Sequence, residues 1–506
     1  MGRVKSATRN IAFGYIGTVT TALMSFVLRT IFIKILDENL VGVNGLYTNI
    51  LSILSMAELG IGTALNFSLY APVAKGDTEK IKSYMLLYRK AYTFIAFIVA
   101  AIGIAITPFL PILIKDADNI STRDLTLYYY IFLFNTVSTY FVSYKYSLVN
   151  AEQKNYIQTN IITITKVITV ILQIVILVTT RSFYAFLLTE AAVQLIQKIF
   201  VSLYLNKLYP YLKDKNVTPL TKEESSVIWS KTRALVLLKV GDVARTQTDS
   251  LIISAFIKVA VVGVVDNYNM VLTSISNYVN IIMNSVISSF GNLIATESKE
   301  KQYEMFKVYK FFAAWFYGFS ATGFFVLLSP LINLWLGKSW LLPSAAVYLI
   351  LTEYYLKGFR IVVANYRTAA GVFEQDRYLP IVQGLVNLVL SIVLVQKIGI
   401  TGIYVGTVVS GILANIVRPV VINRVCFDKG AAEYFIDSAK YVVSFVGTVL
   451  LLLFISSYVL ENLTILSFAV MFVIICVVFN GIFIILFGRS EEFRYCLNLL
   501  KNKLRK

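Results

Sequence analysis

Histidine is absent from this chain, and cysteine and proline are scarce, with only three and nine residues in 506. The lack of histidine removes the commonest general base and proton shuttle of enzymes. Cys426, Cys476 and Cys496 lack the spacing of metal ligands, so we expect them to be packing residues and predict neither disulfides nor a metal site. The sequence therefore favours a protein that is not an enzyme and that holds no cofactor.

Charged side chains are also few. They make up 15% of the chain, whereas about a quarter is usual in soluble proteins. Hydrophobic residues make up 57% and the mean hydropathy is +0.72, which excludes a soluble globular protein. The apolar run after residues 1–10 continues for about 25 residues without a small-residue cleavage site, so it predicts a first membrane span that is retained.

About fourteen hydrophobic runs have the ~20 residues that a helix needs to cross ~30 Å of hydrocarbon. The sequence therefore predicts an all-α polytopic membrane protein. The expected spans lie near 11–36, 40–69, 84–114, 125–149, 157–179, 183–206, 230–256, 262–294, 306–329, 341–366, 378–396, 400–423, 438–460 and 463–487.

The second half of the chain echoes the first at a shift of about 221 positions. Val41-Gly42-Val43 through Tyr47 reappears as Val262-Gly263-Val264 through Tyr268, and Tyr88-Arg89 falls opposite Tyr309-Lys310. One more residue of shift places Thr107-Pro108-Phe109-Leu110 on Ser329-Pro330-Leu331-Ile332. Two matching bundles of this kind are a known transporter plan, with the substrate site between the halves near the midplane.

The net charge of +18 does not indicate a nucleic-acid partner, because the cations border the spans. With the N-terminus in the cytoplasm, about 34 of the 46 Lys and Arg residues fall at cytoplasmic ends, which is the inside-positive pattern of a plasma-membrane protein. Both termini are then cytoplasmic. We predict an N-terminal lobe at 1–207, a cytoplasmic linker at 208–227, a C-terminal lobe at 228–430, and two peripheral helices with a basic tail at 431–506.

Ionisable residues inside spans are costly and are functional candidates by default. In span seven Lys239, Asp242, Arg245 and Asp249 share one helix face; a self-neutralising ladder is the alternative to a cavity wall. Arg29 in span one has no acidic neighbour on its own helix.

Three further groups of in-span charges lie in the other spans. Glu58 in span two is a counter-ion, with Arg29 as a candidate partner, or an ion-coupling group. Span ten places Glu353, Lys357, Arg360 and Arg367 on one face, and interfacial snorkelling is the alternative for Arg360 and Arg367. Lys166 in span five and Glu190 in span six are single charges that would pair as a structural bridge.

An uncharged polar stripe runs along span eight. Thr273, Asn277, Asn280, Asn284 and Ser288 follow one another at spacings of four, three, four and four residues. Amide groups in this pattern suit hydroxyl and acetamido groups of a sugar, and interhelical packing is the alternative. Together with the excess of Arg and Lys, the stripe predicts a cavity that favours an anionic, hydroxyl-rich ligand.

Several segments resemble the Wzx-type polysaccharide flippases, which belong with the multidrug (MATE), oligosaccharidyl-lipid and polysaccharide exporters. The segments are Ala57 to Gly62, Tyr70-Ala71-Pro72 to Lys80, Tyr88-Arg89, Arg367 to Gly371, and Asp376-Arg377-Tyr378 to Gly402. The resemblance covers nearly the whole chain through diffuse motifs. It implies a MATE-like pair of lobes that carries an undecaprenyl-diphosphate-linked oligosaccharide to the outer leaflet of a bacterial membrane, for a capsule or other surface polysaccharide.

Under this resemblance, Arg29, Lys239, Arg245 and Lys357 match the cationic cavity that holds the head group, and Arg360 is a further candidate. Asn277, Asn280 and Asn284 would line it. Asp242, Asp249, Glu58 and Glu353 would couple an ion, H⁺ or Na⁺, or act as counter-ions. Membrane lipids and a polysaccharide polymerase are the expected partners besides the lipid-linked oligosaccharide.

Other functions remain open from the sequence. A cation-coupled multidrug exporter of the same fold would need a net acidic cavity, and the excess of Arg and Lys in the spans disfavours it. A teichuronic-acid-type or lipid II flippase is a further alternative, although lipid II flippases carry more arginine in the first lobe. A membrane-embedded polymerase would need a large outer loop or a soluble domain carrying carboxylates, and the sequence has neither.

We predict that replacing Arg29 or Arg245 with alanine abolishes translocation while the protein stays in the membrane, because each removes a cation from the proposed cavity. The measurement is surface polysaccharide in cells that carry either variant. Normal polysaccharide in both would count against the cavity assignment.

Overall fold

The computed structural model describes residues 2–117, 120–214, 216–226, 228, 247–372 and 374–504. Within these residues, the side chains of 2–9, 11–12, 56–57, 59–61, 63–65, 67, 288 and 499–504 are outside the description. The described residues form helices and connecting turns, with no strand among them, which confirms the predicted all-α class.

The first compact unit comprises residues Met1–Gly263. Its helices are α1 (Gly2–Ile35), α2 (Glu38–Leu54), α3 (Met56–Lys75), α4 (Thr78–Ile106), α5 (Leu110–Leu113), α6 (Thr122–Ala151), α7 (Asn155–Thr180), α8 (Phe183–Leu208) and α9 (247–256). α10 (Val259–Asn284) begins in this unit.

The second unit comprises Val264–Lys506. It contains most of α10, followed by α11 (Ile287–Thr296), α12 (Lys299–Leu336), α13 (Ser344–Ala370), α14 (Leu379–Ile398), α15 (Ile400–Phe427), α16 (Ala432–Val459), α17 (Ile465–Phe487) and α18 (Glu491–Leu504). The predicted lobe boundaries at 207 and 228 lie earlier in the chain than the division between the two units.

Ten stretches of described helix are long and apolar enough to cross a membrane. α6 and α13 are also long enough, with 30 and 27 residues. The predicted spans two and eight are each broken into two helices, α2 with α3 and α10 with α11. At both breaks a serine hydroxyl bonds back to the preceding turn, Ser55 to the Leu51 carbonyl and Ser285 to the Ile282 carbonyl, which competes with regular helix geometry.

The internal duplication is visible in each unit separately. Tyr47 and Tyr268, which the repeat places at equivalent positions, are both fully buried. The Tyr47 hydroxyl donates to the Leu125 carbonyl at 2.8 Å, and the Tyr268 hydroxyl accepts from the Leu342 N–H at 3.1 Å. In the first unit this bond joins α2 to the start of α6. In the second unit it joins α10 to the residue two positions before the start of α13.

The last two predicted spans pack on one side only. α16 and α17 contact α12 through a core of Val326, Leu327, Leu452, Met471 and Ile475. Apolar side chains such as Val443, Phe454 and Ile485 are exposed on their other sides. Such exposure is expected for helices that face lipid tails.

The predicted linker is attached to the start of α4. Lys80 forms an ion pair with Glu224, Lys82 contacts Asp214 at 2.8 Å, and the Ser83 hydroxyl donates to the Thr218 carbonyl at 2.6 Å. The Lys80 ammonium, followed by the Thr221 N–H, holds the pKa of Glu224 below its usual value, so this ion pair persists at neutral pH.

Gly42 lies where the backbone of α2 is in direct contact with the backbone at the start of α10. A Cβ at Gly42 would overlap the Val259 carbonyl oxygen, and a Cβ at Gly263 would lie 3.0 Å from the Gly42 nitrogen. These are the equivalent glycines of the repeat. The start of α10 therefore contacts α2 at a point where neither helix has room for a side chain.

We predict that Gly42→Ala destabilises the protein, because backbone atoms cannot rotate away from the added methyl as a side chain could. Overpacking of this kind costs about 1–3 kcal/mol. The measurement is the melting temperature of purified protein in detergent. Gly14→Ala is the matched control: nothing lies within 4 Å of a Cβ there, so it should leave the melting temperature unchanged or raise it. Equal melting temperatures for the two variants would contradict the packing argument.

Candidate functional site

A polar cavity of about 360 Å³ lies in the first unit between α6, α7 and α8. A neighbouring cavity of about 310 Å³ extends to α2 and shares Thr139, Glu190 and Gln194 with the first. Both volumes are within the range of small-molecule sites. The polar residues that line the first are Thr139, Ser143, Tyr146, Gln158, Thr165, Lys166, Thr169, Glu190, Gln194, Gln197 and Lys198.

Helical periodicity explains why these side chains share one space. On α7, Gln158, Thr165 and Thr169 recur at spacings of seven and four residues, and on α8 Glu190, Gln194 and Gln197 recur at four and three. Each set therefore lies along one helix face. The two faces meet because α7 and α8 form an antiparallel hairpin through Arg181 and Ser182.

Glu190 is held by amides. Its two carboxylate oxygens accept from Gln173 at 3.2 Å and from Gln194 at 3.0 Å. The predicted bridge between Lys166 and Glu190 is not present as an ion pair among the described residues. Lys166 lies about 21 Å from the end of α7 and Glu190 about 10 Å from the start of α8, so in an antiparallel hairpin they sit at different depths.

Lys198 is at the same depth as Lys166, about 22 Å from the start of α8. It is buried, and its ammonium donates to the Asn135 carbonyl and the Ser138 hydroxyl, both at 2.8 Å. Lys166 makes no hydrogen bond or ion pair with any described residue. The cavity thus contains two ammonium groups and one carboxylate.

The second unit contains a buried ion pair on α13. Arg360 is 7% exposed and contacts both oxygens of Glu353, with Nη1 at 3.2 Å from Oε2. A Cβ at Gly411 of α15 would overlap Glu353, so the pair packs directly on the backbone of that helix. Oriented so that its amide nitrogen donates to the Leu356 carbonyl, Asn415 accepts from Arg360 at 3.2 Å. Lys357, on the same helix, is exposed.

The predicted asparagine stripe has a mixed environment. Asn277 and Asn284 are exposed, whereas Asn280 is half-buried and accepts from the Tyr317 hydroxyl at 2.8 Å. Asn284 also accepts from Asn365 of α13 at 3.1 Å. The stripe therefore combines a packing role at two positions with exposed amide groups.

The remaining predicted residues of the first unit have different partners. Arg29 donates to the Gly263 carbonyl at 2.8 Å, and Glu58 accepts from the Tyr92 hydroxyl. Asp249 is half-buried in α9, beside Ser250, whose hydroxyl accepts from Asn49 at 3.0 Å. Lys239, Asp242 and Arg245 lie outside the described residues.

Sequence reasoning missed several charged groups, of which Lys198 and Asp376 are the most informative. Lys198 was overlooked, although it extends the polar face of α8 that Glu190 and Gln194 begin. Asp376 is also buried, and contacts Arg367 at 2.5 Å and Arg418 at 3.1 Å. Its place in the turn between α13 and α14 gave no helical pattern that would have predicted this. Among the described residues, no group of acidic and cysteine side chains is arranged to hold a metal ion.

No protein-family model and no curated protein matches the sequence. Solved structures do match it. The lipid II flippase MurJ in an inward closed conformation aligns with a TM-score of 0.68 at 13% identity, over 94% of this chain and 99% of that chain. The chain has a MATE-like fold.

Two transporters of the MOP superfamily also align. An inward-facing multidrug resistance MATE family transporter gives a TM-score of 0.63 at 15% identity, over 79% of this chain and 92% of that chain. A MOP superfamily transporter from Pyrococcus furiosus, whose binding pocket has reverse polarity, gives 0.52 at 14% identity, over 82% and 94%. Identities this low establish the fold alone.

We predict that breaking the Glu353–Arg360 pair is strongly destabilising. Glu353→Leu alone leaves Arg360 buried without this counter-charge, which costs about 3–5 kcal/mol, whereas Glu353→Leu combined with Arg360→Met removes both charges and should recover most of the loss. The measurement is thermal unfolding in detergent, analysed as a double-mutant cycle.

Glu304→Gln is the control for this cycle. It removes the exposed ion pair between Lys301 and Glu304 and should not change the melting temperature measurably. Additive losses in the two single variants and the double variant would show that Glu353 and Arg360 do not stabilise each other.

Proposed function

We propose that this protein is a Wzx-type flippase that moves an undecaprenyl-diphosphate-linked oligosaccharide repeat unit from the inner to the outer leaflet, for capsular or other surface polysaccharide synthesis. The observation that carries the proposal is the charge of the first unit's interior. Lys145 donates only to Ser202 and Asn206, Lys198 only to neutral oxygens, and Lys166 to no described group. Ammonium groups without carboxylate partners favour an anionic substrate.

The extent of the structural match supports a lipid-linked substrate. The alignment with MurJ covers 94% of this chain. The alignment with the multidrug transporter includes 92% of that transporter but leaves 21% of this chain unmatched. The match to the flippase covers more of this chain than the match to the multidrug transporter does. The last two spans of this chain, α16 and α17, pack against α12 and expose apolar side chains on their other sides. A polyprenyl tail would stay in lipid beside such surfaces while the head group crosses.

The mechanism we propose is alternating access, in which two lobes expose a cationic cavity first to one leaflet and then to the other. Arg29, Lys239, Arg245 and Lys357, with Arg360 paired to Glu353, are the proposed cationic groups. The cavity replaces water around the diphosphate and the sugar hydroxyls, which could not cross hydrocarbon alone. Outward movement of the anion also gains ~2.3 kcal/mol per charge per 100 mV from an inside-negative potential. Asp242, Asp249 and Glu58 are the proposed groups for any coupling to H⁺ or Na⁺.

Two other functions are compatible with the same fold, and each differs from the proposed function in the substrate that is moved. A cation-coupled multidrug exporter would bind lipophilic cations, which the unpaired ammonium groups repel. A lipid II or teichuronic-acid-type flippase would use the same anionic lipid carrier with a different saccharide. The multidrug exporter thus differs from the proposed flippase in the charge of its substrate, and the lipid II or teichuronic-acid-type flippase differs in the sugars of its substrate.

The test is a flipping assay with purified protein in liposomes. A fluorescent undecaprenyl-diphosphate disaccharide placed in one leaflet should become accessible to dithionite on the other side, and ethidium in the same liposomes should not be moved. Arg29→Ala should abolish the signal. Lys34→Ala is the matched control, because Lys34 lies on the same helix, is exposed, and should flip normally.

Transport of ethidium without the lipid would instead support the multidrug exporter. In cells, deletion of the gene should accumulate lipid-linked oligosaccharide on the inner leaflet, and an unchanged distribution would contradict the proposal.

A further inference from the structure

Lys166 is an uncompensated charge inside a membrane span. It lies mid-way along α7, faces the cavity of about 360 Å³, and has no hydrogen bond or ion pair with a described residue. Lys166 is half-buried, and an ammonium within a membrane span is costly unless water or a ligand compensates it. Lys198 contributes a second positive charge at the same depth, and its two described bonds leave one N–H donor unused.

Two neutral groups on the walls also lack partners. Among the described residues, no group bonds to the buried Tyr146 hydroxyl of the first cavity or to the buried Asn135 amide oxygen of the second. The Asn135 oxygen can only accept, so it needs a donor from a ligand or from water. Glu190, between the two cavities, is likewise an acceptor.

These requirements define the ligand. Lys166 and Lys198 favour an anion, whereas the Asn135 oxygen needs a hydroxyl or N–H donor and Glu190 can accept further hydrogen bonds. A diphosphate supplies only acceptors at neutral pH and would not satisfy Asn135. A neutral sugar would leave Lys166 uncompensated. A sugar that carries a carboxylate supplies both an anion and a set of hydroxyl donors.

We infer that the first unit contains a sugar-acid subsite in which Lys166 and Lys198 bind the carboxylate of a uronic acid and Glu190, Gln194 and Asn135 accept from its hydroxyls. This inference rests on the proposed function for its role, because it names the class of sugar that the flippase selects. The subsite itself is independent of transport, since it lies within one unit. Its volume of about 360 Å³ fits a ligand of this size.

Protection from chemical modification tests the subsite without transport. Purified protein is treated with an amine-reactive acylating reagent in the presence of millimolar glucuronate or glucose, and modification of Lys166 is measured by peptide mass spectrometry. Glucuronate should slow modification of Lys166 several-fold and glucose should not. Lys34, exposed on α1, should be modified equally under both conditions. Equal modification of Lys166 with both sugars would overturn the inference and indicate a cavity that holds water.

Flipping assays then test selectivity. Two undecaprenyl-diphosphate disaccharides that differ only in a terminal glucuronate or glucose are compared, and the wild-type protein should prefer the acidic one. Lys166→Met should reduce this preference about tenfold, the effect of losing one charge-assisted hydrogen bond, with flipping of the neutral substrate retained. Lys34→Met is the matched control, because Lys34 is an exposed lysine of α1 that lines neither cavity.

The outcomes separate the two proposals. Protection of Lys166 by glucuronate, with neither lipid flipped, would support the subsite and contradict the flippase. Flipping of both lipids with an unchanged ratio in Lys166→Met would support the flippase and overturn the subsite.

Tyr146→Phe provides a second variant if Lys166→Met folds poorly. It removes only a hydroxyl that has no described partner, so it should not lower the melting temperature, yet it should weaken protection by glucuronate. Unchanged protection in a stable Tyr146→Phe protein would overturn the inference, because a sugar bound in this cavity should contact the Tyr146 hydroxyl on its wall.

Discussion

The constraint on which this structure depends is the cost of a charge inside an apolar helix bundle. A buried cation is tolerated when a carboxylate, several neutral acceptors or a ligand compensates it. The second unit uses carboxylates: Arg360 pairs with Glu353, and Arg367 and Arg418 pair with Asp376. Lys310, 1% exposed, lies 3.6 Å from Asp437 and 4.5 Å from the centre of the Tyr434 ring.

The first unit uses neutral groups instead. Its described buried lysines bond to carbonyl, hydroxyl and amide oxygens, and none has a carboxylate within ion-pair distance. Since both units derive from one repeated plan, the difference reflects divergence in sequence and not in fold. Gly411 illustrates it, because only a residue without a side chain leaves room for the Glu353–Arg360 pair. The described buried lysines of the first unit therefore keep positive charges that no ion pair neutralises.

The sequence predicted the helices well, because long apolar runs and their period are local properties. It also placed Glu353 and Arg360 on one face, since a spacing of seven residues is two turns of a helix. It did not predict the breaks after Leu54 and Asn284, where apolar residues continue through both turns. At each break a serine hydroxyl bonds to the preceding turn, and the same type of bond occurs within continuous helices, so the sequence alone does not locate the breaks.

The side-chain partners of the site depended on tertiary packing. Lys166 and Glu190 were expected to pair because each was taken as the sole charge in its span, although Lys198 lies in the same span as Glu190. Their depth along an antiparallel hairpin separates them, and two glutamines satisfy the carboxylate first. An isolated charge in a span thus does not identify its partner. The polar faces of α7 and α8 were the stronger signal, because two stripes on adjacent helices must face the same space.

The uncompensated lysine also bears on why the two units differ. A protein selected for stability alone would neutralise Lys166, as the second unit neutralises Arg360, or replace it with an apolar residue. Violations of such local rules are expected at functional sites, where a ligand supplies the missing partner. An anion that enters this cavity is attracted by Lys166, whose charge is not neutralised by any described carboxylate. The paired charges of the second unit, such as Arg360 with Glu353, give no such gain, because their attraction is already used within the protein.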